Sequence, residues 1–293
     1  MAERPHRCGV VALLGLPNVG KSTLLNRLLG EKLAIVTAKP QTTRSRILGV
    51  LTLPGAQVLL LDTPGLHHGA SALHRAMQEA TETALEECDL ALVLVDVARG
   101  WEPAHDALVE RLAALERPFL LVETQADRPA RGAPIPPAAA ERAAGRLRIS
   151  ALRDEGIGAL LEAILARLPE GPALYPEDEL TDRPLRFLAA ERVREAAFEA
   201  LGQELPYQLG VEIRSFDESR PDLVRIAADL LVERASQKRI VVGAGGAKIK
   251  ESGVRARPEI EALVGRHVHL ELWVKVEPHW TRSRPRVEAL GYR

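Results

Sequence analysis

The sequence predicts two domains, first an α/β domain with a mostly parallel sheet and then a smaller α+β domain. Over the first 170 residues, short apolar runs alternate with helical patterns, as in a parallel sheet that helices cover on both faces. A stretch rich in proline and acidic residues interrupts this pattern at 169–184, and an α-β-β-α-β order follows it. We therefore place the first domain at 1–171, a linker at 172–184 and the second domain at 185–293.

The composition is that of a soluble globular protein, with 46% hydrophobic and 27% charged residues. No run approaches the roughly 20 apolar residues of a membrane-spanning helix, and the N-terminal "MAERPHR" lacks the apolar core of a signal peptide. Cys8 and Cys88 belong to no metal-spaced pair, so we expect free thiols in a reducing cytosol. These features argue against a membrane-spanning or disulfide-stabilised secreted protein and favour a cytoplasmic one.

The elements of the first domain follow from short apolar runs and helical periodicity. We expect strands at 9–15, 56–62, 90–96, 118–124 and 146–150. Helices are expected at 21–29, 71–88, 103–115 and 157–168, and a proline-rich loop within 128–145 becomes a short alanine-rich helix.

The second domain is expected to begin with an amphipathic helix at 185–203. Strands at 207–216 and 223–233 follow, then a short "RIVVG" (239–243), a helix at 247–264, a strand at 267–276 and a short terminal helix. Pro258 lies inside the predicted helix and should kink it or split it in two.

A phosphate-binding loop is predicted at "GLPNVGKST", residues 15–23, because this motif follows the first strand and opens a helix. Its glycines let backbone N–H groups curl towards phosphate oxygens, Lys21 reaches the β- and γ-phosphates, and Ser22 offers a hydroxyl to Mg²⁺. A simple glycine turn would not require Lys-Ser at these positions. The candidate nucleotide-binding residues of this loop are Gly15, Asn18, Val19, Gly20, Lys21, Ser22 and Thr23.

A second motif, "LLLDTPG" at 59–65, ends another predicted strand. Asp62 can hold Mg²⁺ through water, and the Gly65 N–H can meet the γ-phosphate, with Thr63 between them. The polar "KPQTTRSR" at 39–46 is the candidate switch segment, in which Thr43, or alternatively Thr42, would complete the Mg²⁺ shell. The metal-binding candidates are thus Ser22, Thr43 and Asp62, and the catalytic candidates are Lys21, Thr43 and Gly65.

A P-loop followed by DTPG predicts a GTPase rather than a general ATPase. Such proteins end a later strand with Asn-Lys-x-Asp, where this chain has "TQAD" at 124–127. Asp127 keeps the carboxylate that accepts the guanine N1–H and N2–H₂ groups, the Gln125 stem can lie on the ring, and Thr124 keeps a hydroxyl. Two interpretations stay open: a guanine site with weakened support, or a loop that no longer reads the base.

Two further residues belong to the predicted base site. In "ISA" (149–151), the Ser150 side chain could brace the loop and the Ala151 N–H could reach guanine O6. Leu66 stands where many signalling GTPases have the glutamine that orients water, so we expect slow intrinsic hydrolysis that depends on a partner, a repositioned water or a cation. Asn18 either ligates such a cation, for example K⁺, or simply hydrogen-bonds the loop.

The C-terminal end of the chain is basic. Residues 234–293 carry 13 lysines and arginines against six glutamates, a net charge of +7, which leaves −8 on the first 233 residues. Within it, "GAGG" at 243–246 fits the GxxG loop of a KH domain, which clamps single-stranded RNA. Ala244 stands where many such loops have lysine, which predicts weaker, less salt-dependent binding. The RNA-binding candidates are Lys238, Arg239, Gly243, Gly245, Gly246, Lys248 and Lys250.

Over essentially its full length, the chain resembles the Era family of bacterial ribosome-assembly GTPases. The resemblance is carried by "GLPNVGKSTLLNRLLG", "QTTR", "DTPGLH", "YPEDELTDRPLRFLAAE" and "SQKRIVVGAGGAKIKESG". It implies a P-loop GTPase domain that hydrolyses GTP to GDP with Mg²⁺, and a KH domain that holds the single-stranded 3′ end of 16S rRNA on the small (30S) ribosomal subunit. It also implies a cytoplasmic protein with peripheral membrane association, and we expect a monomer.

Two functions remain open on the sequence. One is a GTPase switch whose nucleotide state gates the RNA-binding domain during small-subunit maturation. The other is a ribosome- and RNA-binding protein whose degenerate GTPase domain is largely structural. Lys21 and Asp62 favour the first, whereas Leu66 and "TQAD" leave the second open.

Overall fold

The computed structural model describes residues 5–37, 39, 42–65, 69–201 and 208–292, and the chain forms two compact units. The first unit comprises Met1–Ala34, Thr43–Gly69 and His74–Asp182. The second comprises Ile35–Thr42, Ala70–Leu73 and Arg183–Arg293.

The first unit is built on a six-stranded sheet in the order β2-β3-β1-β4-β5-β6. Its strands are β1 Arg7–Gly15, β2 Ile47–Leu53, β3 Ala56–Asp62, β4 Leu90–Asp96, β5 Phe119–Thr124 and β6 Gly145–Arg148. All neighbouring strands pair in parallel except β2 and β3, so the predicted mostly parallel sheet is confirmed. Every residue of β3 and β4 is buried, which is why both strands read as continuous apolar runs.

The helices of the first unit connect these strands. They are α1 Lys21–Leu29, α2 Ala72–Glu87, α3 Pro103–Ala114, α4 Pro137–Arg142 and α5 Ile157–Leu165. These five lie where the sequence predicts helices, including the short alanine-rich α4.

The edge strand β2 is absent from the sequence prediction. It pairs with β3 across the turn Pro54–Gly55, where Gly55 has a positive φ of 80°. Gly49 in its middle weakens strand propensity, but a Cβ there would lie 2.7 Å from a methyl group of Leu29 on α1. Close packing of α1 on the sheet therefore explains why residue 49 is glycine. Because that glycine weakens the strand pattern, it also explains why the sequence did not predict β2.

The stretch predicted as a linker is fastened to the first unit. The buried Gln57 side chain accepts from the N–H groups of Leu174 and Tyr175 at 2.8 and 2.9 Å and donates to the Tyr175 carbonyl at 2.8 Å. Further along, the Val50 N–H donates to the carbonyl of Leu180 at 2.8 Å. The first compact unit accordingly extends through Asp182.

The second unit has a three-stranded sheet in the order β7-β8-β9, with an antiparallel and then a parallel pairing. Its elements are α6 Leu185–Leu201, β7 Gly210–Asp217, β8 Leu223–Val232, α7 Ala235–Val242, α8 Ala247–Val264, β9 His267–Val276 and α9 Arg284–Ala289.

Two features of this unit correct the sequence prediction. "RIVVG" belongs largely to helix α7, although its β-branched residues favour extended structure. The helix prevails because the Gln237 side chain accepts from the N–H groups of Glu233 and Arg234 at its start and Val241 is buried in the core. Helix α8 runs through Pro258 without division, since the carbonyl that proline leaves unpaired belongs to the exposed Val254.

Arg286 ties the terminal helix α9 to the sheet. Its guanidinium donates to both carboxylate oxygens of Glu212 on β7, at 2.6 and 2.5 Å, and to both of Glu277, at 2.6 and 3.0 Å. The hydrogen bond from Arg286 lowers the pKa of Glu212. Burial alone would raise the pKa of Glu277, but Arg286 and Lys275 outweigh it and lower that pKa too.

We expect Arg286→Met to reduce the free energy of unfolding of the second unit by about 1–3 kcal/mol near pH 7, because it leaves two neighbouring carboxylates without their forked donor. Both folded-state pKa values are depressed, so this stabilisation is present above the ordinary glutamate pKa of about 4.3 and is lost as the pH falls below it. Urea unfolding between pH 7 and pH 3, followed by tryptophan fluorescence, tests this.

The control is Arg220→Met, which removes an exposed ion pair with Asp222 and should cost under about 0.5 kcal/mol. A constant difference between Arg286→Met and wild type across this pH range would contradict the prediction.

Candidate functional site

The carboxyl ends of the parallel strands bring the predicted motifs to one edge of the first unit's sheet. Leu13 of β1 lies opposite Asp62 of β3, Gly15 lies opposite Leu94 of β4, and β4 in turn ends opposite Thr124 of β5. This edge is where open α/β sheets bind ligands.

The loop between β1 and α1 has the backbone that a phosphate cradle needs. Gly15, Asn18 and Gly20 have positive φ angles of 149°, 62° and 102°. A Cβ at Gly15 would lie 2.8 Å from the Leu94 carbonyl, so only glycine fits there. Val19 is buried, and Thr23 lies in the first turn of α1. The backbone N–H groups in the first turn of a helix lack intrahelical partners and are suited to bind an anion.

Lys21 is buried within this loop. Its ammonium donates to the carbonyls of Gly15 at 3.0 Å and Leu16 at 2.9 Å. Burial lowers the pKa of Lys21 to about 8, against the opposing attraction of Asp62. The loop therefore holds a positive charge that is only partly compensated by the protein, as a phosphate site requires.

Three oxygen-bearing side chains from separate elements meet beside Lys21. The Ser22 hydroxyl donates to Asp62 Oδ2 at 2.6 Å, and Thr43 Oγ1 lies 2.9 Å from Ser22 Oγ and 3.5 Å from Asp62 Oδ2. Asp62 is fully buried, and its Oδ1 has no hydrogen-bond partner among the described residues. Burial raises the pKa of Asp62 to about 6, although the hydrogen bond from Ser22 and the charge of Lys21 oppose this.

This oxygen set fits Mg²⁺, which takes oxygen ligands and is usually held by one or two carboxylates together with substrate phosphates. Within the described ranges, no group of three or more His, Cys, Asp and Glu side chains could hold a metal. The Thr42 hydroxyl lies elsewhere, 2.6 Å from both Thr37 Oγ1 and the Lys39 carbonyl. Geometry thus favours Thr43 over Thr42 as the switch hydroxyl.

The DTPG motif contacts the P-loop closely. The Thr63 hydroxyl donates to the Leu13 carbonyl at 2.7 Å, so that side chain holds the motif rather than facing a ligand. A Cβ at Gly65 would lie 2.8 Å from the Pro17 backbone, which explains the glycine. Leu66, named above as the reason for slow hydrolysis, lies outside the described residues.

The TQAD loop is fastened to the P-loop by its first two side chains. The buried Thr124 hydroxyl donates to the Val19 carbonyl at 2.7 Å. Gln125, with a φ of 57°, donates its side-chain amide to the Asn18 carbonyl at 3.1 Å. Thr124, at the position of the asparagine in Asn-Lys-x-Asp, thus uses its hydroxyl to hold this loop against the P-loop.

Asp127 is oriented by its neighbour from the "ISA" loop. The Ser150 hydroxyl donates to Asp127 Oδ1 at 2.7 Å and is the main cause that lowers the pKa of Asp127. The carboxylate is therefore ionised at neutral pH, as an acceptor for two N–H donors should be.

Two arginines support these loops and were missed by the sequence analysis. Arg27 of α1 donates to the Ala151 carbonyl at 2.8 Å, and Arg99 after β4 donates to the Pro17 carbonyl at 3.1 Å. Neither belongs to a motif, and their partners lie 124 and 82 residues away in sequence, so no local pattern could have found them.

In the second unit, the GAGG loop joins α7 to α8 with three glycines of positive φ: 74° at Gly243, 56° at Gly245 and 81° at Gly246. Around it, the basic side chains that are exposed are Lys238, Arg239 and Lys250. Lys248 is half-buried and donates to the Ala200 carbonyl at the end of α6, at 2.7 Å.

Comparison with known proteins decides the family. The model of the 50S ribosome-binding GTPase family matches residues 10–125, and that of the KH domain matches residues 204–281. The chain is 43% identical to GTPase Era of Geobacter metallireducens, with full coverage of both chains, and 44% identical to that of Afipia carboxidovorans, covering 98% and 94%.

The chain belongs to the Era GTPase family.

Solved Era structures agree with this membership. A variant of Aquifex aeolicus Era bound to GDP·AlF₄⁻ superimposes with a TM-score of 0.90 at 38% identity, covering 98% of this chain and 99% of that one. Era in complex with MgGDPNP and nucleotides 1506–1542 of 16S ribosomal RNA gives a TM-score of 0.91, with the same identity and coverage. The predicted fold, a P-loop GTPase domain followed by a KH domain, is confirmed. Among the described residues, no helix combines the length and apolar character needed to cross a bilayer.

We expect Thr124→Val to lower the free energy of unfolding of the first unit by about 1–2 kcal/mol, because the buried Val19 carbonyl loses its donor. Thr124→Ser retains the hydroxyl and should lose less than half as much. Urea unfolding measures this, with Trp101 as the single tryptophan in the first unit. A free energy of unfolding in Thr124→Val equal to that of the wild type would mean that the hydrogen bond from Thr124 to the Val19 carbonyl does not stabilise the first unit.

Proposed function

We propose that this Era-family protein is a GTP-hydrolysing switch that binds the 3′ end of 16S rRNA through its KH domain during assembly of the 30S subunit. The observation that carries the proposal is the meeting of Ser22, Thr43 and Asp62 oxygens beside the buried ammonium of Lys21. A structural remnant of a nucleotide site would have no reason to keep a buried lysine and a buried aspartate with an unpaired oxygen.

Phosphate binding and hydrolysis follow from this arrangement. The N–H groups of the loop and the Lys21 ammonium surround the β- and γ-phosphates, and the Gly65 N–H meets the γ-phosphate. The hydroxyls of Ser22 and Thr43 hold Mg²⁺, with Asp62 acting through water; when bound, the ion neutralises charge that develops on the phosphate oxygens. Because Thr43 reaches the site from the switch segment, it can distinguish GTP from GDP.

Base recognition rests on Asp127, which accepts from guanine N1–H and N2–H₂, and on the Ala151 N–H, which donates to O6. Thr124 and Gln125 hold the loop against the P-loop, and the methylene stem of Gln125 covers the ring. Adenine has no paired donors for the carboxylate, so ATP binding would leave buried polar groups unsatisfied.

RNA binding is assigned to the GAGG loop, whose glycines let phosphates approach the backbone, and to the basic residues around it: Lys238, Arg239, Lys248 and Lys250. The Era complex with nucleotides 1506–1542 of 16S ribosomal RNA supports the choice of the rRNA 3′ end. We further propose a cytoplasmic monomer, K⁺ beside the phosphates near Asn18, and weak membrane association through the basic C-terminal end.

One observation favours a second candidate, an RNA-binding protein with a structural GTPase domain. The TQAD loop lacks the usual asparagine and lysine, and Gln125 contacts the P-loop backbone through its amide. A loop fastened in this way could persist without reading a base.

Nucleotide binding separates the two functions. With fluorescent GDP, GTP, ATP and XTP, we expect the wild type to prefer guanine nucleotides and Asp127→Asn to lose about 100-fold for GTP while gaining for XTP, since xanthine presents an acceptor where guanine has a donor. Asp178→Asn, an exposed aspartate of the linker stretch, should bind as the wild type does. Equal binding of all four nucleotides, or none, favours the second function.

RNA binding can be tested by restoring the missing charge. We expect Ala244→Lys to tighten binding of a single-stranded oligonucleotide with the 16S 3′-end sequence and to steepen log K against log[salt] by about 0.7, the value for one added phosphate contact. Ser219→Lys adds the same charge at an exposed turn between β7 and β8. Equal effects of the two variants would argue that the GAGG loop does not contact the RNA.

A further inference from the structure

We propose that Arg27 on α1 is a positioning residue for guanine recognition, which holds the loop after Ser150 so that the Ala151 N–H can read O6 of the base. The proposal rests on the guanine site of the proposed function and deepens it, because it assigns discrimination at position 6 of the purine to a residue outside every motif. Arg27, Ser150 and Ala151 all belong to the first compact unit.

Position 6 of guanine is read by a backbone group in the proposed site. The carboxylate of Asp127 accepts from N1–H and N2–H₂, and an ionised carboxylate has no donor to offer to O6. The Ala151 N–H is the assigned donor, and within the described ranges no protein acceptor takes it up. Its direction depends on the backbone of its loop, so whatever fixes that backbone controls how well O6 is read.

One hold on this backbone comes from the base of the loop. The Ser150 N–H donates to the Glu155 carbonyl at 3.0 Å, and the Glu155 N–H donates back to the Ser150 carbonyl at 3.1 Å. The Ser150 carbonyl and the Ala151 N–H are two edges of one peptide plane, so this bond anchors the edge opposite the donor. Residues 152–155 are exposed, and Asp154 has a φ of 61°, so the loop needs further support to keep one conformation.

Arg27 supplies the second hold. Its Nε donates to the Ala151 carbonyl at 2.8 Å, and its Nη2 lies 3.3 Å from the Leu152 carbonyl, to which it also donates. The Ala151 N–H therefore lies between two anchored groups, the Ser150 carbonyl before it and the Ala151 carbonyl after it. A planar guanidinium serves two carbonyls at once in a fixed geometry, which a single ammonium does not reproduce.

The charge of Arg27 contributes less than these hydrogen bonds. Its Nε lies 3.7 Å from Asp154 Oδ1, and the two side chains are 37% and 62% exposed, so solvent screens the attraction between them. The same Nε already donates to Ala151 at the shorter distance of 2.8 Å. We therefore assign the positioning role to the contacts with the two carbonyls and not to the ion pair.

Helix α1 gives the Arg27 side chain a fixed origin. The helix begins at Lys21 in the P-loop, and Arg27 follows six residues later, about 9 Å along the axis. Leu24, Leu25 and Leu28 of the same helix are buried, so its inner face is packed. The helix that presents its first turn to the phosphate site thus supports the base site from its last turn.

The test uses nucleotides that differ from GDP at one position of the base. In 6-thio-GDP the oxygen at position 6 is replaced by sulfur, which accepts a hydrogen bond more weakly, while N1–H and N2–H₂ remain. IDP keeps O6 but lacks the N2 amino group that Asp127 would accept from. The Kd ratio of 6-thio-GDP to GDP thus reports on the Ala151 N–H, and the ratio of IDP to GDP reports on Asp127. Competition against a fluorescent GDP measures all three.

In Arg27→Met we expect GDP to bind about fivefold more weakly and 6-thio-GDP less than about twofold more weakly, so that their Kd ratio falls towards one. The IDP ratio should stay at the wild-type value. Two controls should leave both ratios unchanged: Asp154→Asn, which removes only the ion pair, and Arg142→Met, which removes an exposed arginine paired with Glu110. Equal losses for all three nucleotides, or the same change in Asp154→Asn, would overturn the positioning role.

Hydrogen exchange in the nucleotide-free protein gives a second readout that does not depend on the base. Over residues 150–155 we expect faster exchange in Arg27→Met than in the wild type, and wild-type exchange in Arg142→Met. Unchanged exchange in Arg27→Met overturns the hold on the loop. Failure of the proposed function looks different: the wild type then binds nucleotides without preference for the base, which removes the O6 assignment while the exchange difference persists.

Discussion

The arrangement of the loops in the first unit depends on a buried lysine and a buried aspartate at one edge of its mostly parallel sheet. Burial moves the pKa of Lys21 down to about 8 and that of Asp62 up to about 6, against their mutual attraction. The protein alone therefore compensates neither charge fully, and a phosphate and a cation would complete the compensation. The surrounding loops must therefore hold both side chains in place.

The loops meet this demand through hydrogen bonds to backbone carbonyls. Thr124 holds Val19, Gln125 holds Asn18, Arg99 holds Pro17 and Arg27 holds Ala151. Such ties tolerate changes in the residue that makes them, because any donor of suitable reach can serve a carbonyl. This tolerance explains how the chain can replace Asn-Lys-x-Asp with TQAD and still present Asp127, oriented by Ser150, in the proposed base site.

The second unit uses charge differently. Its helices α7 and α8 carry several of the lysines and arginines expected for an RNA partner. Its first helix instead buries charged side chains, among them Glu191, Arg194 and Glu195. Hydrogen bonds of buried charges are directional: Arg194 on α6 donates to the carbonyl of Thr42, and Glu195 accepts from the N–H of Val36. The unit thus combines a diffuse electrostatic surface with a short set of geometrically defined contacts.

The sequence by itself determined the two-domain organisation and the five strands predicted for the first domain, each to within two residues. It also determined the P-loop, the DTPG motif and the GAGG loop. These features depend on local composition: continuous apolar runs, glycines where positive φ is needed, and charged residues at set spacings. Only the tertiary structure showed that β2 is a strand, that α7 is a helix and that α8 continues through Pro258. At these places packing and capping outweigh the local conformational propensity. Only the tertiary structure also revealed which backbone carbonyls Arg27, Arg99 and Arg194 contact. A partner more than 80 residues away leaves no pattern in the sequence around the arginine.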